Sequence, residues 1–245
     1  MNKVYAVSDL HGMYNLWEKI KNYIDETDTI YFLGDAADRG PDGMKLMKEL
    51  MTDKRVIYLL GNHEDIMSDE APDIMEGRSN SWLWGYNGGG PTISAFELMS
   101  EDSQRWILNK INNLPREVTY INKDGKNIFM CHAGTHFGWT EFKWEQHGMK
   151  DAFIWDRSHL HMDYDENKDY EWDYIIHGHT PTPALMAYGY HYIVPDDKKL
   201  IATELNPYII KYCNGRKIDI DLGCFFTKKT CLLDLDTLEP IYFDV

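Results

Sequence analysis

The sequence predicts an α/β fold, and three observations carry that expectation. Apolar runs at Val4–Ser8, Thr29–Leu33 and Val56–Leu60 alternate with segments whose apolar residues recur at helical spacing. Each run breaks off in a short polar stretch: Ser8-Asp9-Leu10-His11-Gly12, Gly34-Asp35 and Gly61-Asn62-His63-Glu64. Asp9, Asp35 and Asn62 lie 26 and 27 residues apart, one strand–helix repeat each. A parallel sheet would therefore bring their side chains to one edge, the edge where open α/β sheets place their chemistry.

The elements follow in order. Val4–Ser8 reads as a buried strand. Met13–Asp25 places Met13, Leu16, Trp17, Ile20 and Ile24 on one helical stripe, and Gly43–Thr52 does the same with Met44, Met47 and Met51. Residues 69–92 look irregular and end in Gly88-Gly89-Gly90-Pro91. With no Gly-Lys-Ser/Thr after it, that run is a turn and no nucleotide P-loop. Ser100–Asn112 reads as a helix with Glu101 and Asp102 in its first turn. Arg116–Ile121 and Asn127–Cys131 read as a hairpin joined through Asp124-Gly125 and leading into His132.

Residues 135–172 are aromatic and acidic without period, as expected of a lid or cap inserted in a single catalytic domain spanning 1–245. Asp173–Ile176 is a further strand, running into Gly178-His179-Thr180. Strands at Tyr190–Val194, Tyr208–Cys213, Lys217–Leu222 and Thr230–Leu235 then suggest a mostly antiparallel second half.

Composition narrows the function. Lys and Arg number 25 against 40 Asp and Glu, a formal charge of −15, which argues against stable nucleic-acid binding. A small phosphate ester stays open, because bound divalent cations reverse the local sign. Cys131, Cys213, Cys224 and Cys231 make no C-x-x-C pair, the first residues hold no apolar signal core, and no run is long enough to span a membrane. The expected setting is cytoplasmic, without a membrane partner.

The strand-end loops hold Asp9, His11, Asp35, Asn62, His132 and His179, a mixed set of imidazole, carboxylate and amide that suits Mn, Fe or Zn better than Ca. Six ligands exceed what one open catalytic ion takes and fit two ions sharing a bridge, with Asp35 placed to be that bridge. Two ions about 3.5–4 Å apart can hold a hydroxide and stabilise both oxygens of an in-line displacement. Gly34–Pro41 adds a second carboxylate, Asp38, and a guanidinium, Arg39.

The series D-L-H-G, G-D-A-A-D-R-G, G-N-H-E, H-A-G and G-H-T, from Asp9 to Thr180, resembles the phosphoprotein phosphatase branch of the calcineurin-like metallophosphoesterases, most of all the small lambda-type serine/threonine phosphatases. Asn87-Gly88-Gly89-Gly90 and Ile154-Trp155-Asp156-Arg157 are similar to lambda-type segments, whereas 183–216 match nothing in that pattern. The resemblance implies a four-layer α-β-β-α sandwich of two mixed sheets and a centre of two divalent ions, Mn foremost. It implies Asp9 and His11 on the first ion, Asp35 bridging, and Asn62, His132 and His179 on the second. His63, oriented by Asp38, would be the general acid, and Arg39 and Arg157 would clamp the phosphoryl group. The activity implied is hydrolysis of phosphomonoesters, on phosphoserine/phosphothreonine proteins and small aryl phosphates. The alternative is a symmetrical diadenosine tetraphosphate hydrolase or a cyclic-nucleotide phosphodiesterase. Leu60, where many phosphoprotein phosphatases have Arg, is similar to the dinucleotide hydrolases; Asp38, which those often lack, points the other way. Pro181 replaces the second His of a Gly-His-x-His pattern.

Overall fold

The computed structural model describes residues 2–78, 82–135, 151–161, 172–185, 189 and 207–245. The three expected parallel strands form: β1 (Val4–Val7), β2 (Thr29–Phe32) and β3 (Val56–Tyr58), linked by helices α1 (Tyr14–Tyr23) and α2 (Gly43–Leu50). Two late strands complete this sheet, β9 (Lys229–Asp234) antiparallel to β1 and β10 (Glu239–Asp244) antiparallel to β9, giving the order β10-β9-β1-β2-β3. The second sheet holds β4 (Glu117–Ile121), β5 (Asn127–Cys131), β6 (Tyr174–His177), β7 (Ile210–Tyr212) and β8 (Lys217–Asp219) in the order β4-β5-β6-β8-β7.

Alternation of side chains along each strand builds the layers. In the first sheet Tyr5, Val7, Ile30 and Phe32 pack with Leu16, Trp17, Ile20 and Met47 of the helices. Ala6, Tyr31 and Leu33 point the other way and meet Ile128, Met130, Ile176 and Ile218 of the second sheet. On the far side of that sheet Phe129, Cys131 and Ile175 pack against Phe153 of the short helix α7 (Ala152–Trp155). Two mixed sheets flanked by helices result, the α-β-β-α sandwich that the motifs implied.

The expected antiparallel pairing of the late strands forms: β7 is antiparallel to β8, and β9 to both β1 and β10. Inside the second sheet β5, β6 and β8 run parallel, a direction that strands buried along nearly their whole length do not reveal. One expectation is corrected: residues 69–92 are not irregular. Helix α3 (Asn62–Met75) continues through Pro72, and α4 (Trp82–Tyr86) and α5 (Gly90–Glu97) follow before α6 (Glu101–Ile111), whose cap Ser100 accepts the Ser103 N–H. Pro72 and the acidic residues of α3 hid a helix held by packing of Ile66, Met67 and Ala71. Most of the 135–172 insertion and the expected strand at Tyr190–Val194 lie outside the described residues.

Candidate metal centre

The loops after β1, β2, β3, β5 and β6 converge over one edge of the two sheets, interlocked by their backbones. Asp9, His11 and Gly12 donate N–H groups to the carbonyls of Gly34, Asp35 and Ala36 (3.1, 2.9 and 2.8 Å), and Gly178 donates to His132 (2.8 Å). The price is strain: among the described residues eleven non-glycine positions have positive φ, and six of them are Asp9, His11, Asp35, Asp38, Arg39 and His179. Left-handed backbone of this kind costs about 1–3 kcal/mol per residue and clusters where function demands it.

Two clusters of potential ligand atoms share Asp35: His11, Asp35 and His63 form one, and Asp35, His132 and His179 the other. Hydrogen bonds fix the tautomers. His132 Nδ1–H donates to the Leu33 carbonyl (2.7 Å) and His11 Nδ1–H to that of Ala37 (2.9 Å), so each ring turns an Nε2 lone pair to the centre. Around His132 Nε2 stand Asn62 Oδ1 at 3.0 Å, His179 Nδ1 at 3.1 Å and Asp35 Oδ2 at 3.5 Å. Four groups that offer electron pairs face one another in a buried space, an arrangement that a cation satisfies. Among the described residues the buried His179 Nε2 has no partner, and the ring is held through Nδ1. At the other cluster the Arg39 guanidinium supplies the positive charge, reaching His11 Nε2 at 2.7 Å and His63 Nε2 at 3.1 Å. The donor set thus fits divalent ions at both clusters.

Asp9 stands slightly apart. Its Oδ2 accepts from Ser8 Oγ and from the His179 N–H (3.0 Å), so it ties the first loop to the last. Burial raises its pKa well above the ordinary value, with Asp221 and Asp35 adding to the effect. Burial opposes ionisation of Asp35 too, but the neighbouring imidazoles of His132, His63 and His11 and the His63 backbone N–H (3.0 Å) outweigh it and hold its carboxyl far below the usual range.

His63 is set differently from its neighbours. Its Nδ1–H donates to Asp38 Oδ2 at 2.7 Å. Burial works against a second proton, yet Asp35 and Asp38 outweigh it and raise the His63 pKa. Burial instead lowers His11, helped by Arg39, and lowers His132 and His179. Imidazoles pushed apart in this way divide into proton carrier and electron-pair donors. Arg157, after α7, is half-buried, and its charge bears on His132, His179 and Asp221.

Four residues carry this geometry without having been singled out for a role. Glu64 is fully buried, and its carboxylate accepts N–H groups from Asp35 (2.8 Å), Ala36 and Ala37 (both 3.0 Å) and Gly61 (3.2 Å). Its position in the first turn of α3, three residues after Gly61, was the available signal. Trp84 Nε1–H donates to Asp38 Oδ1 (2.9 Å), and Thr92 Oγ1 accepts the Asp38 N–H (2.9 Å). Both sit on helices the sequence did not reveal. Asp221 ends the β8 run as Asp9 and Asp35 end theirs; burial pushes it up to about 7. Of the other histidines, His159 and His177 are fully buried, and burial pulls His177 down to about 3. His136, His147 and His191 lie outside the described residues.

The chain matches the calcineurin-like phosphoesterase family over residues 2–183 and belongs to it. This is a family of dinuclear, metal-dependent phosphoesterases. The chain is similar to the asymmetrical bis(5'-nucleosyl)-tetraphosphatase PrpE of Oceanobacillus iheyensis, with 25% identity over 93% of this chain and 86% of the relative. It is also similar to the symmetrical bis(5'-nucleosyl)-tetraphosphatase of Buchnera aphidicola subsp. Schizaphis graminum, with 35% identity over 56% of this chain; that match spans only 46% of the relative. Among solved structures it shares its fold with one described as a diadenosine tetraphosphatase (TM-score 0.60, 15% identity, 99% of this chain and 93% of the other). It shares it also with a serine/threonine phosphatase of Saccharomyces cerevisiae (TM-score 0.57, 12% identity, 100% and 80%).

Proposed function

We propose that this chain is a dinuclear-metal hydrolase of bis(5'-nucleosyl) polyphosphates, loaded with Mn. The observation that carries the substrate class is the likeness to a bis(5'-nucleosyl)-tetraphosphatase along 93% of the chain. Leu60 supports it: its side chain is buried in the apolar core, where a guanidinium would serve a phosphoprotein phosphatase.

Asp35 would be shared between two ions, with Asp9 and His11 to hold one and Asn62, His132 and His179 to hold the other. The mixed donor set suits Mn. Ions held there supply Lewis-acid activation of water and offset charge on the phosphoryl oxygens. Arg39, which reaches His11 and His63, would turn to the phosphoryl oxygens, joined by Arg157 through forked hydrogen bonds. His63, held by Asp38, carries the proton to the departing oxygen from Nε2.

Phosphomonoester hydrolysis is the second reading. The intact Asp38–His63 pair favours it, since a strong acid matters most for poor alkoxide leaving groups. Turnover of diadenosine tetraphosphate, phosphoserine peptide and p-nitrophenyl phosphate in Mn-supplemented buffer separates the two. The expected result is a kcat/KM for the dinucleotide at least about tenfold above the peptide. Fast peptide hydrolysis with intact dinucleotide would overturn it. Product analysis distinguishes asymmetric cleavage, giving ATP and AMP, from symmetric cleavage to two ADP.

A further inference from the structure

Behind the second ligand cluster lies a buried polar network that the chemistry above does not use. It consists of His159, His177, Tyr212 and Lys217, with relative exposures of 0, 0, 5 and 0%. Its hydrogen bonds fall on the two loops that carry His132 and His179. His159 Nε2–H donates to the Ala133 carbonyl (2.8 Å), and His177 Nδ1–H to that of Gly178 (3.0 Å). Lys217 Nζ donates to the Thr135 carbonyl and reaches His159 Nδ1 at 3.2 Å. The Tyr212 hydroxyl lies 2.7 Å from His177 Nε2 and 3.2 Å from His159 Nδ1.

Proton accounting gives these contacts a direction. A carbonyl only accepts, so His159 carries its proton on Nε2 and His177 carries its own on Nδ1. With both rings uncharged, His177 Nε2 must accept, and the Tyr212 hydroxyl is the donor beside it. The hydroxyl has one proton, so Lys217 supplies the bond to His159 Nδ1. The rings meet edge to face (5.0 Å between centroids, 87°) against Gly134, where an added Cβ would come within 2.7 Å of His159 Nε2 and 3.0 Å of His177 Cγ. The glycine of H-A-G is therefore what lets the two rings approach the loop.

We infer that Tyr212, Lys217, His159 and His177 are positioning residues for the second ion: they clamp the loops bearing His132 and His179 at the separation that ion requires. They touch neither the ligands of the first ion nor the leaving-group acid, so their effect is confined to one site. This rests on His132 and His179 being ligands, as proposed above. Outer hydrogen-bond partners of metal ligands are worth about 10–100-fold in metal affinity.

Calorimetric titration of chelator-stripped protein with Mn tests the inference without substrate. Wild type is expected to take two ions. Tyr212→Phe, which keeps the ring and removes the donor to His177, should weaken one binding constant by about 10–100-fold and leave the other unchanged. Tyr120→Phe is the control: it removes a hydroxyl bonded to Asp236 at 3.3 Å in β4, remote from the loops, and should leave both constants as in wild type. Unchanged constants in Tyr212→Phe, or equal weakening in the control, would overturn the positioning role. A wild type binding fewer than two ions would instead overturn the ligand assignment. Should Tyr212→Phe fail to fold, long-range ¹⁵N–¹H spectra of the wild type decide the matter. His159 is expected on the Nε2–H tautomer and His177 on Nδ1–H; the reverse at either ring overturns the network.

Discussion

His63 and Asp38 meet at 2.7 Å, and on the proposed mechanism that pair would set the pH response. Burial opposes the second proton on His63, but Asp35 and Asp38 raise its pKa, so the acid form persists to higher pH than in a free imidazole. Activity that depends on this proton is full at low pH on this limb and falls as pH rises through the raised pKa. His63→Asn should lower kcat by roughly 10²–10⁴ and abolish the alkaline fall while metal content stays at wild-type level, as metal analysis beside a pH–rate profile would show. Loss of metal in that variant would make His63 a ligand. Trp84 acts one step back, through Asp38. Trp84→Phe removes a hydrogen bond to a buried carboxylate, worth about 1.5–3 kcal/mol. It should lower kcat about tenfold with KM little changed. The ligand-type residues were legible because each ends an apolar run in an unusual polar loop. Trp84 and Thr92 were not: an indole or hydroxyl reaching Asp38 from 46 or 54 residues away leaves no trace in local pattern.

At the scale of elements, the β3–α3 junction shows how tightly the loops are nested. A Cβ at Gly61 would collide with the carboxylate and backbone nitrogen of Asp35 and come within 2.8 Å of Glu64 Oε2. Gly61→Ala must displace either the Asp35 carboxylate or the Glu64 anchor. The expected outcome is loss of tight Mn binding in a chain that still folds, checked by calorimetry and circular dichroism. Retained two-ion binding would mean that the loops are more pliant than drawn here. The parallel strands β1, β2 and β3 of the first sheet could be read from sequence because their helices are amphipathic and they are separated by one repeat each; β10 and the return of β9 to β1 could not. The parallel run of β5, β6 and β8 could not, because direction depends on crossover connections rather than on residues within the strands. Helices α3, α4 and α5 escaped for a related reason: packing, not propensity, holds them.

For the molecule as a whole, the centre is a concentration of buried negative charge in a chain already at −15. Burial pushes Glu64 and Asp221 up to about 7, with Asp35 adding to both. The folded metal-free protein therefore binds these protons more tightly than the unfolded chain does. That contribution to stability is complete at low pH and is lost as pH climbs through about 7. In excess chelator, Tm should fall between about pH 5 and 8, whereas Mn should restore it most at the upper end. Parallel Tm profiles with and without metal would contradict this account of the charge.

The left-handed backbone at Asp9, His11, Asp35, Asp38, Arg39 and His179 has a bearing on how such an enzyme could be made to endure heat. Glycine at any of them would relax the chain and, on the proposed mechanism, remove a ligand, the partner of the acid or a phosphoryl clamp, so durability and turnover would compete there. Improvement has to be sought at a distance. Gly85, within α4 and with nothing inside 4 Å of an added methyl group, offers it: Gly85→Ala should gain about 0.4–1 kcal/mol and leave catalysis as it was.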